Sequence, residues 1–231
     1  MHNLSLSVMF PAYNEEANIK LAVLKAIEIL ETITDKFEIL IVDDGSLDKT
    51  GQIIDALARE DNRIVVIHHA KNRGYGDALW TGINAAKNDW FFYTDADLQF
   101  DLNDIQKLIR FIPEYKAVIG YRSPRRDSFM RLLNAKGWNR LVRLLFGLKV
   151  RDIDCAFKIF ERVMLTGLPL KTRGATMSAE VLIRLQRMGI AWKEVPVSHF
   201  PRLFGSPTGA KPAVIVRAFR ELFNLYCIGL K

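Results

Sequence analysis

The first hundred residues alternate between nearly continuous apolar runs and segments in which apolar residues recur at helical spacing. Strands that are apolar on both faces and separated by helices are typical of a mostly parallel sheet covered on both sides. The pattern therefore predicts an α/β fold. The predicted strands are 4–13, 37–46, 63–70 and 89–97, and the predicted helices between them are 15–33, 48–60 and 76–88.

A different pattern begins near residue 110. Strands are predicted at 116–122 and 191–200, and a helix at 178–189. Two further segments, 127–147 and 212–231, have one apolar stripe with polar and cationic positions beside it, which is typical of amphipathic surface helices. We therefore expect a single domain whose second half carries two such helices. The stripe of the first comprises Met130, Leu133, Gly137, Leu141, Leu144 and Leu148, and its cations are Arg131, Lys136, Arg140 and Arg143.

Polar side chains gather where the first, second and fourth predicted strands end. The carboxyl ends of parallel strands meet at one edge of a sheet, and ligands of open α/β sheets bind outside that edge. The three groups are therefore expected to face one crevice. They are Asn14 with Glu15, Asp43 with Asp44, and Asp95 with Asp97.

The net charge of +7 conceals a strong asymmetry between the two halves of the 231-residue chain. Residues 1–109 hold 10 Lys/Arg and 18 Asp/Glu, a net charge of −8, whereas residues 110–231 hold 23 Lys/Arg and 8 Asp/Glu, a net charge of +15. The acidic half suits cation binding, and the basic half suits phosphates, nucleic acid or anionic lipid. The gap is too large to be explained easily by an unevenly charged solvated surface.

Two cysteines, Cys155 and Cys227, are far apart in the sequence and lack metal-ligand spacing, which favours a reducing compartment. The first residues show no secretory signal, and no apolar run reaches the roughly 18 residues of a membrane-spanning helix. The sequence predicts a protein that is soluble or lies on a membrane surface.

The sequence "DADLQF" offers a specific chemistry. In an Asp-x-Asp the middle residue points away, so Asp95 and Asp97 can face one cation, with Gln99 as a third ligand. Ligation by oxygen alone favours Mg²⁺ or Mn²⁺, which often complete their shell with substrate phosphate oxygens. The alternative is a turn of capping residues, with Asp101 or Asn103 starting a helix.

Six strings occur in order between residue 5 and about residue 210, and as an ordered set they are specific although each is weak alone. Together they resemble a family-2 glycosyltransferase with the GT-A fold, within the polyprenyl-phosphate sugar transferases that include dolichyl-phosphate mannose synthase. The resemblance implies a mostly parallel, Rossmann-like sheet and a nucleotide-sugar donor whose base, guanine or uracil, stays open. The strings are "FPAYNEEANI", "VDDGSLDKT", "NRGYGDAL", "DADLQFDLNDI", "VRDIDCAFKIF" and "EVPVSHFPRLFG".

The resemblance also implies site residues. The turn after the first strand would bind the nucleotide, the Asp-Asp-Gly-Ser turn would contact base and ribose, and the Asp-x-Asp-x-Gln set would hold the divalent ion on the sugar diphosphate. The Gly-rich "NRGYG" would lie near the nucleotide, or be only a tight turn. The implied nucleotide residues are Pro11, Tyr13, Glu15, Asp43, Asp44, Ser46 and Asp95, and the implied metal ligands are Asp95, Asp97 and Gln99.

The implied reaction is a single displacement that inverts the anomeric carbon. A phosphate monoester acceptor is largely dianionic at pH 7, so it needs cations to position it rather than a strong base. The resemblance assigns that task to Arg122, Arg131 and Arg202, beside Asp97 in the catalytic set, because the planar guanidinium suits phosphate. Each could instead be a solvated surface arginine, and Arg125 or Arg126 could substitute.

The chain departs from the family pattern at a few positions. Asn134 stands where the family often has serine. Ala156, Phe157 and Lys158 stand where it often has Gly-Phe-Lys, which weakens any detailed transfer of roles to the loop around Ala156. Glu180 lies where other family-2 enzymes have a catalytic base, and we expect it to be structural or orienting. His199 is expected to be packed or hydrogen-bonded.

We expect a catalytic domain at 1–210, divided into a nucleotide- and metal-binding half at 1–109 and an acceptor half at 110–210, with a C-terminal amphipathic helix at 211–231. Without the transmembrane helices that some relatives carry, the basic helices would bring it to the cytoplasmic face of a membrane as a peripheral protein. The last helix could instead pack on the core or meet a membrane-protein partner.

Three other functions explain less of the sequence. A family-2 transferase with a non-lipid acceptor is the nearest alternative, and the basic helices argue against it. A sugar nucleotidyltransferase would need a glycine- and arginine-rich loop after the first strand, which is missing. A basic module for nucleic acid or membrane would leave the acidic strand ends unexplained, so no nucleic-acid partner is expected.

Overall fold

The structure is a computed structural model that describes residues 4–112, 114–125, 129–202, 204 and 212–229, with the backbone alone for 129–133. One seven-stranded sheet runs through the whole of this part, flanked by helices, so the α/β prediction is confirmed. The strands are β1 (Ser5–Ala12), β2 (Lys36–Asp43), β3 (Ile64–His68), β4 (Trp90–Thr94), β5 (Ala117–Arg122), β6 (Phe157–Glu161) and β7 (Lys193–Val197). The helices are α1 (Ile19–Glu31), α2 (Thr50–Glu60), α3 (Tyr75–Ala85), α4 (Ile105–Ile109), α5 (Phe129–Phe146), α6 (Met177–Arg187) and α7 (Pro212–Cys227).

The strand order is β3-β2-β1-β4-β6-β5-β7. The first four strands in this order are mutually parallel, and β5 pairs with β7 in parallel, but β6 lies antiparallel between β4 and β5. The sequence pattern did not predict β6, because Lys158 interrupts its short apolar run although the side chain is fully buried. Its reversal brings the loop before Phe157 to the carboxyl ends of its neighbours, since Phe157 pairs with Thr94.

Burial follows the sequence pattern closely in the first half. In β1 and β2 nearly every residue is buried, as expected of strands covered on both faces. α1 buries Ile19, Ala22, Val23, Ala26 and Leu30 against this sheet, which is the stripe that its spacing predicts. The predicted capping role of Asp101 is also present, because its side chain accepts a hydrogen bond from the backbone N–H of Asn103 at the short 3-10 turn that leads into α4.

Candidate active site

The loops after β1 and β2 are joined by side chain to backbone hydrogen bonds. The Asn14 N–H donates to Ser46 Oγ at 2.9 Å, and the Leu47 N–H donates to Asn14 Oδ1 at 2.8 Å. The Glu15 N–H donates to Thr50 Oγ1 at 2.8 Å. Asn14 has a φ of 56°, a left-handed conformation in which asparagine is among the more tolerated residues. The two loops therefore form one wall of the crevice.

Pro11 and Tyr13, the other predicted residues of this wall, lie at the end of β1 and directly after it. Pro11 pairs with Val42 in the register of β1 and β2. Both Pro11 and Tyr13 are half-buried, so each keeps part of its surface accessible. They are thus brought to the same edge of the sheet as Glu15.

Asp43 ends β2 and is held by two groups. Its Oδ1 accepts a hydrogen bond from the Ser46 N–H at 2.9 Å, and its Oδ2 lies 2.9 Å from His68 Nδ1. The other ring nitrogen of His68 lies 3.1 Å from Asp55. Burial would lower the pKa of His68, but the hydrogen bonds with Asp43 and Asp55 outweigh it and raise the pKa. Asp43 is therefore oriented by the Ser46 N–H on one oxygen and by the His68 ring on the other.

Asp44 is buried and serves the neighbouring turn. Its carboxylate accepts hydrogen bonds from the backbone N–H groups of Arg73 and Gly74, at 2.9 and 2.8 Å, and pairs with His69 Nδ1 at 2.7 Å. The second ring nitrogen of His69 lies 2.9 Å from Thr81 Oγ1. The observed task of Asp44 is thus to hold the "NRGYG" turn against the end of β2.

Tyr75, in the same turn, extends the crevice to β4. It lies close to Asp95, and burial together with the charge of Asp95 raises the pKa of Tyr75 well above its usual value. Asp95 is half-buried directly after β4. Desolvation of its carboxyl group and the nearby charge of Asp97 raise its pKa to about 7, against the opposing effect of Arg122. This is the electrostatic signature of crowded carboxylates.

The turn that carries the second carboxylate is held in an uncommon conformation. Leu98 has a φ of 61°, although it is not glycine, and its side chain packs against the core. Asp97 accepts a hydrogen bond from the Gln99 N–H at 3.1 Å. Gln99 Nε2 donates to the Phe200 carbonyl at 3.0 Å, and its amide oxygen remains an acceptor. Left-handed non-glycine residues of this kind concentrate at functional sites.

Arg202 lies across the carboxylates. Its guanidinium is 3.2 Å from Asp97 Oδ2 and 2.5 Å from Glu15 Oε1. Two contacts bring it there, the bridge between Phe100 and His199 and the hydrogen bond from the Phe200 N–H to the Gln99 carbonyl. Carboxylates from the ends of β1 and β4 therefore converge closely enough to share one cationic group.

The donor set fits a hard divalent cation. Asp95, Asp97 and Gln99 offer only oxygen ligands, and the guanidinium of Arg202 shows that the carboxylates attract a cation. Within the described ranges no group of three or more His, Cys, Asp or Glu side chains is arranged to hold a metal ion. A cation here would need further oxygens from a ligand, as Mg²⁺ commonly does.

The other two arginines predicted to bind the acceptor phosphate lie at the end of β5 and on α5. Arg122, at the end of β5, is almost wholly buried and makes a bidentate pair with Asp152, with Nε–Oδ2 at 2.7 Å and Nη2–Oδ1 at 2.8 Å. Arg125 lies 3.5 Å from the same carboxylate. Arg131 lies on α5, and its side chain is outside the described part of the chain. Arg126 is also outside it.

The loop before β6 and β6 itself contain buried charged residues that the sequence did not identify as site residues. Asp152 is buried, and its hydrogen bonds with Arg122 lower its pKa against the effect of burial. Lys158 is fully buried and donates from Nζ to the carbonyls of Ile153 and Cys155. The burial of the Arg122–Asp152 pair and of Lys158 leaves no periodic pattern in the sequence. It becomes visible only once β6 is placed antiparallel between β4 and β5.

Glu180 and His199 are both buried among direct contacts, as the predicted structural roles require. Glu180 is fully buried, and its carboxylate accepts hydrogen bonds from Lys171, Thr172 and Arg184. His199 is buried with its ring edge against Phe100, at 5.5 Å between centroids.

Fold and site together define a GT-A glycosyltransferase architecture, with acidic residues at the carboxyl ends of a parallel half-sheet. The family model described as "Glycosyl transferase family 2" matches residues 7–167, and the chain belongs to this family. The fold agrees with a solved structure of Mycobacterium tuberculosis glucosyl-3-phosphoglycerate synthase in complex with Mn²⁺, UDP and glucosyl-3-phosphoglycerate. The TM-score is 0.75 at 22% identity, covering 96% of this chain and 80% of the other.

Three relatives by sequence are informative. Glycosyltransferase AglD of Haloferax volcanii is 34% identical over 86% of this chain and 34% of the relative. An undecaprenyl-phosphate 4-deoxy-4-formamido-L-arabinose transferase of Photorhabdus laumondii is 29% identical, over 87% and 61%. The dolichyl-phosphate beta-glucosyltransferase of Saccharomyces cerevisiae is 30% identical, over 92% and 74%. The chain thus spans about one third of the first relative's length and three fifths of the second's.

Proposed function

We propose that the protein is an inverting glycosyltransferase that moves a sugar from a GDP- or UDP-linked donor to a polyprenyl phosphate. The observation that carries the proposal is the convergence of Glu15, Asp95 and Asp97 with the basic residue Arg202 at one sheet edge. Carboxylates there suit a cation on a sugar diphosphate, and an arginine beside them suits a second phosphate. The names of two relatives, which specify undecaprenyl and dolichyl phosphates, support the lipid acceptor.

Asp95, Asp97 and Gln99 would hold Mg²⁺ or Mn²⁺. The bound ion would neutralise charge developing on the leaving nucleoside diphosphate. Tyr75, which lies close to Asp95, would help to orient its carboxylate. Solved structures of glucosyl-3-phosphoglycerate synthase contain Mn²⁺ or Mg²⁺ together with UDP, which supports a divalent ion in this fold.

For the donor nucleotide we propose the wall built from the loops after β1 and β2. Pro11, Tyr13 and Glu15 would line one side, and Asp43 and Ser46 would face base and ribose. The buried Asp44 would act by holding the "NRGYG" turn in place, because its oxygens already accept from Arg73, Gly74 and His69. The turn would then form the other side of the nucleotide pocket.

For the acceptor phosphate we propose Arg202 and Arg131 as ligands. A divalent cation would replace the Arg202 guanidinium at the carboxylates of Asp97 and Glu15. The guanidinium would then be available to bind the acceptor phosphate. Arg122 would contribute positive charge near Asp95 while its guanidinium remains paired with Asp152. The phosphate is itself the nucleophile, so the site requires no general base.

An exposed apolar face supports seating at a membrane surface. Val216 and Phe223 on α7 are 67% and 65% exposed, and Leu144 on α5 is 74% exposed and follows the exposed cations Arg140 and Arg143 in the same helix. The two helices pack on each other through Trp138 with Phe219 and Phe146 with Tyr226. Apolar residues flanked by cations match an anionic bilayer surface, to which each cation near the surface adds about 1 kcal/mol.

No helix in the described ranges is long and apolar enough to cross a membrane. We place the peripheral association at the cytoplasmic face, because both cysteines are free and Cys227 is exposed, which suits a reducing compartment. A membrane-protein partner on α7 is the alternative occupant of the exposed face. In this scheme residues 1–109 bind the donor and the metal ion, residues 110–210 bind the acceptor, and residues 211–231 contact the membrane surface.

A Val216→Ser/Phe223→Ser double variant should sediment several-fold less with vesicles of phosphatidylcholine and phosphatidylglycerol than the unaltered protein, since it removes apolar area that would enter the bilayer. Val163→Ser is the matched control, because Val163 is 63% exposed at the opposite edge of the sheet, after β6. Equal binding of all three proteins would argue against this face.

Transfer itself is tested with a panel of labelled GDP- and UDP-sugars, Mg²⁺ or Mn²⁺, and a short polyprenyl phosphate. We expect lipid-linked product with at least one donor, and none when EDTA removes the ion. Phosphoglyceric acid belongs in the panel as a non-lipid acceptor, because it is the acceptor-like ligand of the structural neighbour. Product on that acceptor alone would establish the non-lipid function instead.

A further inference from the structure

Helix α7 is joined to the loop at Arg173 and Gly174 by hydrogen bonds to a charged side chain. Glu221 accepts hydrogen bonds from the backbone N–H groups of Arg173 and Gly174, at 3.3 and 3.2 Å. Arg217, one turn earlier on α7, pairs with Glu221 through Nε at 3.0 Å. The Thr176 hydroxyl adds a bond to the Ala218 carbonyl at 3.1 Å. A polar face of α7 therefore fixes this loop while the opposite, apolar face is exposed.

The same loop holds the "NRGYG" turn. The Asp77 N–H donates to the Arg173 carbonyl at 3.1 Å, and the Arg173 guanidinium stacks on Trp80 at 4.8 Å. The fit is close, because a Cβ at Gly76 would lie 2.5 Å from the backbone of Arg173. Arg217 also reaches the turn directly, donating from Nη1 to the Arg73 carbonyl at 3.4 Å. The turn is thus packed from the α7 side at several points.

On its other side the turn meets the candidate donor site. Asp44 accepts hydrogen bonds from the N–H groups of Arg73 and Gly74, and Tyr75 lies close to Asp95. Gly74 has a φ of 106°, which favours glycine, and a Cβ there would lie 3.2 Å from the Arg217 guanidinium. The path from α7 to the carboxylates is therefore short and made of direct contacts.

We propose that Arg217 and Glu221 are positioning residues for the donor nucleotide. They hold the "NRGYG" turn in the conformation that closes the nucleotide pocket, so that the seating of α7 and the affinity for donor are linked. The hydrophobic docking of α7 does not depend on them, because Leu222 and Leu225 are buried beneath the helix. The inference rests on the proposed function only in that a nucleotide occupies this pocket.

The test is calorimetric titration of the full chain with GDP, UDP, ADP and CDP in the presence of Mn²⁺. Arg217→Ala should weaken binding of the preferred nucleotide about 5- to 10-fold, within the usual range of coupling between neighbouring sites. Arg220→Ala is the matched control, as an exposed arginine on the same helix, and should bind as the unaltered protein does. In steady-state assays Arg217→Ala should raise the KM for donor and leave the KM for acceptor unchanged.

Glu221→Gln provides a second variant, which decides the question if Arg217→Ala lowers the melting temperature below that of the assay. It keeps an acceptor oxygen for the loop but loses the charge that holds Arg217, so a smaller loss of nucleotide affinity is expected. Identical dissociation constants for these variants and Arg220→Ala would overturn the inference while leaving the proposed function intact. If the unaltered protein bound none of the four nucleotides, the proposed function would fail, and the inference with it.

Discussion

Asp97→Asn should lower sugar transfer by at least two orders of magnitude and leave the fold intact. Asparagine keeps the size of the side chain and one oxygen but removes a negative charge from the cluster formed with Asp95 and Glu15. Groups that stabilise charge developing in a transition state are typically worth about 10²–10³-fold in rate. The measurement is the initial rate of lipid-linked product with the preferred donor, together with Mn²⁺ binding followed by electron paramagnetic resonance.

Asp35→Asn controls for the loss of one carboxylate, because Asp35 is exposed just before β2, at the edge of the sheet remote from the crevice. Its rate and Mn²⁺ binding should match those of the unaltered protein. Thermal unfolding by circular dichroism should be similar for both variants, because asparagine keeps an oxygen for the Gln99 N–H and Arg202 keeps its ion pair with Glu15. Normal turnover of Asp97→Asn would exclude this residue from the metal site.

The sequence predicted those features of the site that depend on where strands end. Asp43, Asp95 and Asp97 follow strands whose continuous apolar runs are easy to recognise, and parallel pairing brings such ends to one edge. Asp44 belongs to the same motif, yet its carboxylate serves a turn 29 residues away. The motif thus predicted its location but not its partners, because these are set by how α3 packs.

What could not be predicted depends on contacts between distant segments. The antiparallel β6 pairs with β4, a distant segment of the chain, and the buried pair of Arg122 with Asp152 joins residues 30 positions apart. No local periodicity signals either contact. The reach of Arg202 to Glu15 spans 187 positions and requires the bridge between Phe100 and His199. Loop-mediated contacts of this kind follow from tertiary packing rather than from the pattern of apolar residues.

Glu180 is a fully buried carboxylate for which we expect a structural role. Glu180→Ala should lower the free energy of unfolding by about 3–5 kcal/mol, because it leaves Arg184 without its buried partner and the N–H groups of Lys171 and Thr172 without acceptors. For a chain of this length such a loss corresponds to roughly 6–20 °C in melting temperature. Urea unfolding followed by tryptophan fluorescence measures it.

The same variant decides whether Glu180 takes part in the chemistry. Assayed well below its melting temperature, Glu180→Ala should keep most of its transfer rate, because a dianionic acceptor phosphate needs no base and the carboxylate is fully enclosed. Glu60→Ala, at an exposed position in the last turn of α2, should change stability by no more than about 0.5 kcal/mol. Unchanged stability with abolished transfer would instead make Glu180 a catalytic base, and would favour an acceptor hydroxyl over a phosphate.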